Sequence, residues 1–252
     1  MFIDPEEAFQ TIKRHWTEWD SIVKPEKYVI GISGGVDSTC AAALACKLFG
    51  RDRVVGVSLP CNGQKDMQDV DKVFTHLGIK RITIDIGEVF DSLKTSIAVA
   101  GLQPTVQCTT NMPARLRTTT LFGIAQCMNG VVVNTCNRSE NIVGYSTLFG
   151  DDAGCYSPLK NLTKTEVQKL AFWLIVPANL AYKTPVDGLQ DKTDEENLGF
   201  TYVDLDTCIR GGVINTDVKK KIDALYKKNR FKLEIVRVPG PTFNVTDTFT
   251  FN

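Results

Sequence analysis

Between Tyr28 and Ser38 the chain reads Tyr-Val-Ile-Gly-Ile-Ser-Gly-Gly-Val-Asp-Ser, an apolar β-branched run that breaks at two glycines and resumes as a helix. A run with no polar alternation has no solvent face, so it specifies a strand covered on both sides, as in a parallel sheet. The junction also defines a chemistry. A strand that feeds a glycine turn and a helix start leaves several backbone N–H groups without partners, and the helix dipole adds partial positive charge there. Gly34 and Gly35 let the main chain approach a ligand closely and adopt positive φ, and the hydroxyls of Ser33 and Ser38 add donors. Asp37 would repel a bare phosphate, so its place in the loop implies a divalent metal between the two. The segment therefore reads as a site for a nucleotide with Mg²⁺. No Gly-Lys-Ser/Thr follows the glycines, so the loop is not a Walker A sequence.

The same strand-then-helix grammar recurs. Strand-like runs cover Tyr28 to Ser33, Val54 to Leu59, Arg81 to Ile86 and Val131 to Cys136, with helical patterns between them at about 36 to 49, 66 to 77, 88 to 100 and 111 to 128. This alternation predicts an α/β fold: a doubly wound, mostly parallel sheet with helices on both faces. The chain's 252 residues, 43% of them hydrophobic, suit one domain spanning 1–252. Asp4-Pro5-Glu6-Glu7 opens a first amphipathic helix carrying Phe9, Ile12, Trp16, Trp19 and Val23. Thr163-Lys-Thr-Glu166 is a capping box for a helix to about Leu174. Residues 182–197 read as a polar lid loop, with Asp194 to Glu196 as a helix start, followed by helices at about 200 to 210 and 216 to 229. Residues 230–252 form a C-terminal tail. In such sheets ligands bind beyond the carboxyl ends of the strands, where the Ser33 loop, Pro60 to Asp66 and Thr135 to Glu140 all fall.

Charge narrows the partners. Lys+Arg and Asp+Glu both number 29, so no global basic field draws the chain to nucleic acid. The eight cysteines show no CxxC and no close Cys/His cluster, which argues against zinc or iron–sulfur ligation, and most sit in apolar runs as expected in a reducing, cytoplasmic setting. The N-terminus lacks a basic and then apolar leader, and no stretch approaches the ~18 apolar residues needed to span a bilayer, so no membrane association is expected.

Beyond the loop come Val57-Ser-Leu-Pro60, Asn111-Met-Pro-Ala-Arg115-Leu-Arg117, Asn134-Thr-Cys-Asn-Arg-Ser-Glu140, Gly144-Tyr-Ser-Thr, Gly150-Asp151, Ser157-Pro-Leu, Leu162-Thr-Lys164 and Asp194 through Tyr202. In that order, over roughly residues 28 to 210, they resemble the ammonia-dependent NAD synthetases of the N-type ATP pyrophosphatase superfamily, with its adenine nucleotide alpha-hydrolase-like fold. The resemblance implies a ligase that adenylates the carboxylate of deamido-NAD with ATP and then forms NAD with ammonia, releasing AMP and pyrophosphate. It implies that Gly31, Ile32, Ser33, Gly34, Gly35, Val36, Asp37 and Ser38 hold ATP phosphates and that Thr135 and Lys164 also contact ATP. Asp37 and Glu140 would share Mg²⁺, Arg115 and Asp151 would meet deamido-NAD, and Asp151 would capture and deprotonate ammonium. It further implies a lid closing over ATP and a homodimer. Glutamine-dependent synthesis would need an attached amidase domain, for which this length leaves no room.

The sequence departs from the family pattern at several positions. Leu148 stands where the family has a basic residue facing the dinucleotide, Cys155 where it has an aspartate near the nicotinate side, Val186 where it has a hydroxyl in the lid, and Ile235-Val236 where it has His-Lys. Two alternatives follow: another carboxylate-adenylating amide ligase of the same fold, or an ATP-binding sensor without turnover. The presence of Asp37, Glu140 and Lys164 together speaks against the sensor, since binding alone does not need a set of charges at the reacting centre.

Overall fold

A computed structural model describes residues 2–63, 67–183 and 193–234. Strands β1 (Lys27–Gly31), β2 (Val54–Ser58), β3 (Lys80–Thr83) and β4 (Gly130–Val132) form one sheet in the order β3-β2-β1-β4, with every pairing parallel. Tyr28 registers with Val54 on one side and Val131 on the other. The strands run shorter than the apolar stretches that encode them. Past Val132 the chain keeps one ladder-like bond, Val133 N to Val29 O at 3.0 Å, and then turns away to bridge Tyr156. The residues that seemed to be strand ends are therefore loops rising from the sheet, which is where a ligand site needs them.

Period-two alternation divides the strands between two cores. Tyr28, Ile30 and Val54 face α1 (Pro5–Val23), α2 (Val36–Phe49), α3 (Met67–Leu77) and α7 (Lys164–Trp173). Val29, Val55 and Val57 face the opposite side, where Ile86 precedes α4 (Gly87–Val99) and Leu121, Phe122 and Ala125 of α5 (Val106–Cys127) pack. The sheet is thus doubly wound. Close contact with α3 explains Gly56 in the middle of β2, since a Cβ there would lie 2.5 Å from the Phe74 ring. Trp16 of α1 is fully buried, stacked on Tyr156 at 4.9 Å and edge-on to Tyr28 at 5.3 Å. The third cluster, Val143, Phe200, Tyr202, Leu205 and Ile222, joins α6 (Arg138–Val143), α10 (Tyr202–Ile209) and α11 (Thr216–Glu234) beside the sheet. Two short helices, α8 (Ala178–Ala181) and α9 (Asp194–Leu198), complete the described α-helices, and a 3-10 turn at Arg51–Arg53 leads into β2.

Asp4 caps α1 by accepting from Glu6 N at 2.9 Å, as its sequence specifies. Helix α5 begins five residues before the expected start at 111, because Thr105 caps it and the helix runs on through Pro113. Helix α9 opens at Asp194 behind a Thr193 cap, so that acidic cluster is a helix start, as expected. Helix α11 runs on to Glu234, so the first five residues of the anticipated 230–252 tail are helical; the central part of the anticipated lid, 184–192, and the tail from 235 lie outside the described residues. No described helix is long and apolar enough to cross a membrane.

Candidate active site

Strand β1 has β2 on one side and β4 on the other, so the loops leaving the ends of β1 and β4 diverge and open a crevice at the topological switch point. The β1 loop is held by its own hydroxyls. Ser33 Oγ accepts from Gly35 N at 3.2 Å, and Ser38 Oγ donates to Gly35 O at 3.1 Å while lying 3.3 Å from Ser33 Oγ. Gly34 has φ +82°, and a Cβ on it would stand 3.1 Å from the Val70 amide nitrogen at the start of α3. A glycine is required on both counts. Gly35 is the N-cap of α2 and offers no side-chain oxygen, so the first amides of that helix, at Val36 and Asp37, are not capped from Gly35 and stay available to an anion.

Asp37 stands in the first turn of α2, Glu140 at the third position of α6 and Lys164 at the first position of α7. The fold brings all three together. Lys164 Nζ donates to Asp37 Oδ2 at 2.6 Å and to Glu140 Oε1 at 2.9 Å, and it lies 5.0 Å from the centre of the Tyr202 ring. Burial by itself would lower the lysine pKa, but Asp37 and Glu140 outweigh it and hold the ammonium well above its ordinary value. Burial pushes Glu140 up to about 7, with Asp37 adding to the rise and Lys164 opposing it. A lysine in the first turn of a helix meets an unfavourable dipole and calls for negative charge nearby as the remedy. In the structure the remedy is internal: two carboxylates from other helices neutralise it.

Asn137, given no role from sequence, is the hinge of this arrangement. Its Nδ2 donates to Asp37 Oδ1 at 2.8 Å, while its Oδ1 accepts from Glu140 N at 3.0 Å and its own N–H donates to Glu140 Oε2 at 3.2 Å. The Asn-x-x-Glu spacing is a capping box and was readable as one. Asp206 carried no such signal. Fully buried on α10, it accepts from Ser139 Oγ at 2.5 Å and from Thr165 N at 2.8 Å, and Ser139 Oγ accepts from Lys164 N at 3.0 Å, so the starts of α6 and α7 are fastened to one carboxylate.

Among the described residues, Thr135, Asp151 and Arg115 form no hydrogen bond or ion pair with Asp37, Glu140 or Lys164. Thr135 is half-buried on the loop after β4. Asp151 sits on a loop pinned to that strand end, its carbonyl accepting from Asn134 Nδ2 at 2.9 Å and its carboxylate from Thr147 N at 2.8 Å. The residue is open to solvent, yet crowding around the carboxyl raises its pKa, with the Thr147 amide and Lys232 opposing. Arg115 donates from Nε to Leu148 O at 3.2 Å and lines a cavity of about 600 Å³ with Asn111, Thr147, Leu148, Phe231 and Lys232. Cys155 is exposed, and all eight cysteines are unpaired thiols.

The NAD synthase family model matches residues 15–236, nearly the whole of the described fold. The chain belongs to the NAD synthase family. An NH₃-dependent NAD⁺ synthetase of Pyrococcus furiosus is 40% identical over 182 residues, 72% of this chain and 70% of the relative. Among solved structures, an NMN synthetase from Francisella tularensis superposes with a TM-score of 0.86 at 32% identity, covering 96% of this chain and 100% of that one. An NAD⁺ synthetase from Burkholderia pseudomallei gives 0.78 at 25% identity, covering 92% and 91%. These solved structures thus share the fold of a parallel sheet flanked by helices described above.

Proposed function

We propose that this chain is a ligase that amidates deamido-NAD with ammonia, using ATP and releasing AMP and pyrophosphate. One observation carries the reading: Asp37, Glu140 and Lys164, from three separate helices, converge within hydrogen-bonding distance beside an uncapped helix start at the switch point. The chemistry explains the set. A carboxylate is a poor electrophile towards ammonia, so its oxygen first attacks the α-phosphorus of ATP and the bond to pyrophosphate breaks. Ammonia then adds to the acyl carbon, the bond to AMP breaks and a proton leaves the nitrogen. Gly31 to Ser38 cradle the departing pyrophosphate with backbone donors, and Lys164 supplies positive charge as negative charge builds up there.

The donors fit a hard divalent cation. Asp37 and Glu140 present carboxylate oxygens to one point, already shared by the Lys164 ammonium, and Mg²⁺ characteristically binds through one or two carboxylates plus substrate phosphates. Those two residues would hold Mg²⁺, which when bound neutralises charge on the phosphates. Asp151, its pKa raised by crowding, takes the proton from ammonium, and Arg115 holds the acid through the cavity it lines.

A second reading is favoured by the extent of the match to the NMN synthetase, together with the apolar Leu148 beside Arg115. Here the acceptor is the mononucleotide acid whose amide is NMN. Incubating the protein with ATP, Mg²⁺ and ammonium and either acid, and following AMP and the amide by chromatography, tests both. The first reading expects NAD; amide formed at a hundredfold higher kcat/KM from the mononucleotide acid would replace it with the second, and no AMP from either would overturn both.

The family resemblance further suggests a homodimer in the cytoplasm. Its contact face is α4 with the start of α5, where Val89, Leu93, Val99, Leu102 and Val106 are exposed. Sedimentation of the protein should give twice the chain mass, and Leu93→Lys should shift it towards one.

A further inference from the structure

Arg117 carries a guanidinium with most of its donors unspent. Its Nε donates to Leu59 O at 2.9 Å, and among the described residues its Nη groups form no ion pair or hydrogen bond. The side chain is only partly exposed, and burial lowers its pKa, with Cys61 and Asp151 as the opposing acidic groups. A cation drawn from water without a partner is costly, so its retention calls for a reason.

Its position supplies one. Leu121, one turn further along α5, packs over Gly31, the last residue of β1: a Cβ on that glycine would lie 3.3 Å from the leucine Cδ1. Thr118, next to Arg117, donates to Gly150 O at 2.6 Å, and Leu59 directly follows β2. Arg117 therefore stands over the strand ends, between the exit of β2 and the 147–151 loop. Arg115 is exposed and donates to Leu148 instead, so the two arginines serve different places on the helix.

We propose that Arg117 binds a substrate oxyanion, a phosphate or a carboxylate, through the two Nη groups left over from its contact with Leu59. The planar fork suits such oxygens in pairs, whereas holding one carbonyl requires no more than a single donor. The assignment rests on the amidation proposed above and adds a binding residue to it.

Calorimetric titrations of wild-type, Arg117→Met and Arg117→Lys protein with MgATP alone and with deamido-NAD alone test it, beside thermal melts without ligand. Arg117→Met should weaken one of the two by about ten- to hundredfold, as expected for a lost charged hydrogen-bond pair. Arg117→Lys should recover part of that loss at an unchanged melting temperature. Weakening confined to MgATP assigns the oxyanion to ATP, and weakening confined to deamido-NAD assigns it to the acid. Affinities within about threefold of wild type for both ligands would overturn the role of Arg117 alone. Wild-type protein that binds neither would overturn the amidation and this role together. If Arg117→Met melts early, Arg117→Gln decides by the same threefold criterion, because it removes the charge and keeps a donor for Leu59.

Discussion

Lys164 shows how a residue's position in a helix can mislead until its neighbours are known. Its place in a first turn pointed correctly to a demand for negative charge, but that demand is met by Asp37 and Glu140, which are 127 and 24 residues away in sequence. Local rules carry no information about partners that distant. The glycine-rich anion loop gives Asp37 a need for a cation beside it, and the cation the structure places there is the Lys164 ammonium, at 2.6 Å. Asn137 was half legible: its capping role follows from the Asn-x-x-Glu spacing, its bond to Asp37 does not. If Asp37 holds a cation needed for turnover, Asp37→Asn should keep the bond from Asn137 and the fold while lowering kcat by at least a hundredfold. Steady-state rates beside circular dichroism would check this, and a rate within tenfold of wild type would remove the role.

At the scale of elements, α1 and α7 show what capping and periodicity can and cannot specify. The sequence marks both starts, and Phe9, Ile12 and Trp16 are buried as their spacing requires. It does not reveal that Trp16 completes an aromatic stack with Tyr156, which arrives from the far side of β4. Trp16→Ala should cost about 3 to 5 kcal/mol, read from urea unfolding, with no change in fold. Glu166 ties the same region together, accepting from Ile3 N and Thr163 N at 2.8 Å each and pairing with Arg210. Burial would raise its pKa, but Arg210 and the two amides hold it below its ordinary 4.5. The unfolded chain therefore binds this proton more readily than the folded one. The stabilisation is complete above about pH 4.5 and is lost as pH falls through the lower folded value. Urea midpoints measured from pH 7 to 3 should fall less steeply for Glu166→Gln than for wild type; parallel profiles would contradict the linkage.

For the whole molecule, alternation of strands and helices announced a covered parallel sheet, and the sheet is one. Strand order was not legible, since continuous apolar runs look alike whichever neighbours they choose. The order decides the site: β4 lands beside β1 rather than β3, so the helix starts carrying Asp37 and Glu140 face each other across one crevice. Helices α4 and α5 bridge the two edges of the sheet, and the stretch between them, including Gly101 at φ +84°, is exposed. Opening the chain there would give one piece with three strands and Asp37, and another with β4, Glu140 and Lys164. Neither piece alone should turn over. Mixing the two should restore activity only as fast as they find each other, with a rate that rises with concentration. A protein whose chemistry is divided this way along its length can be made conditional by nothing more than a cut and a tether.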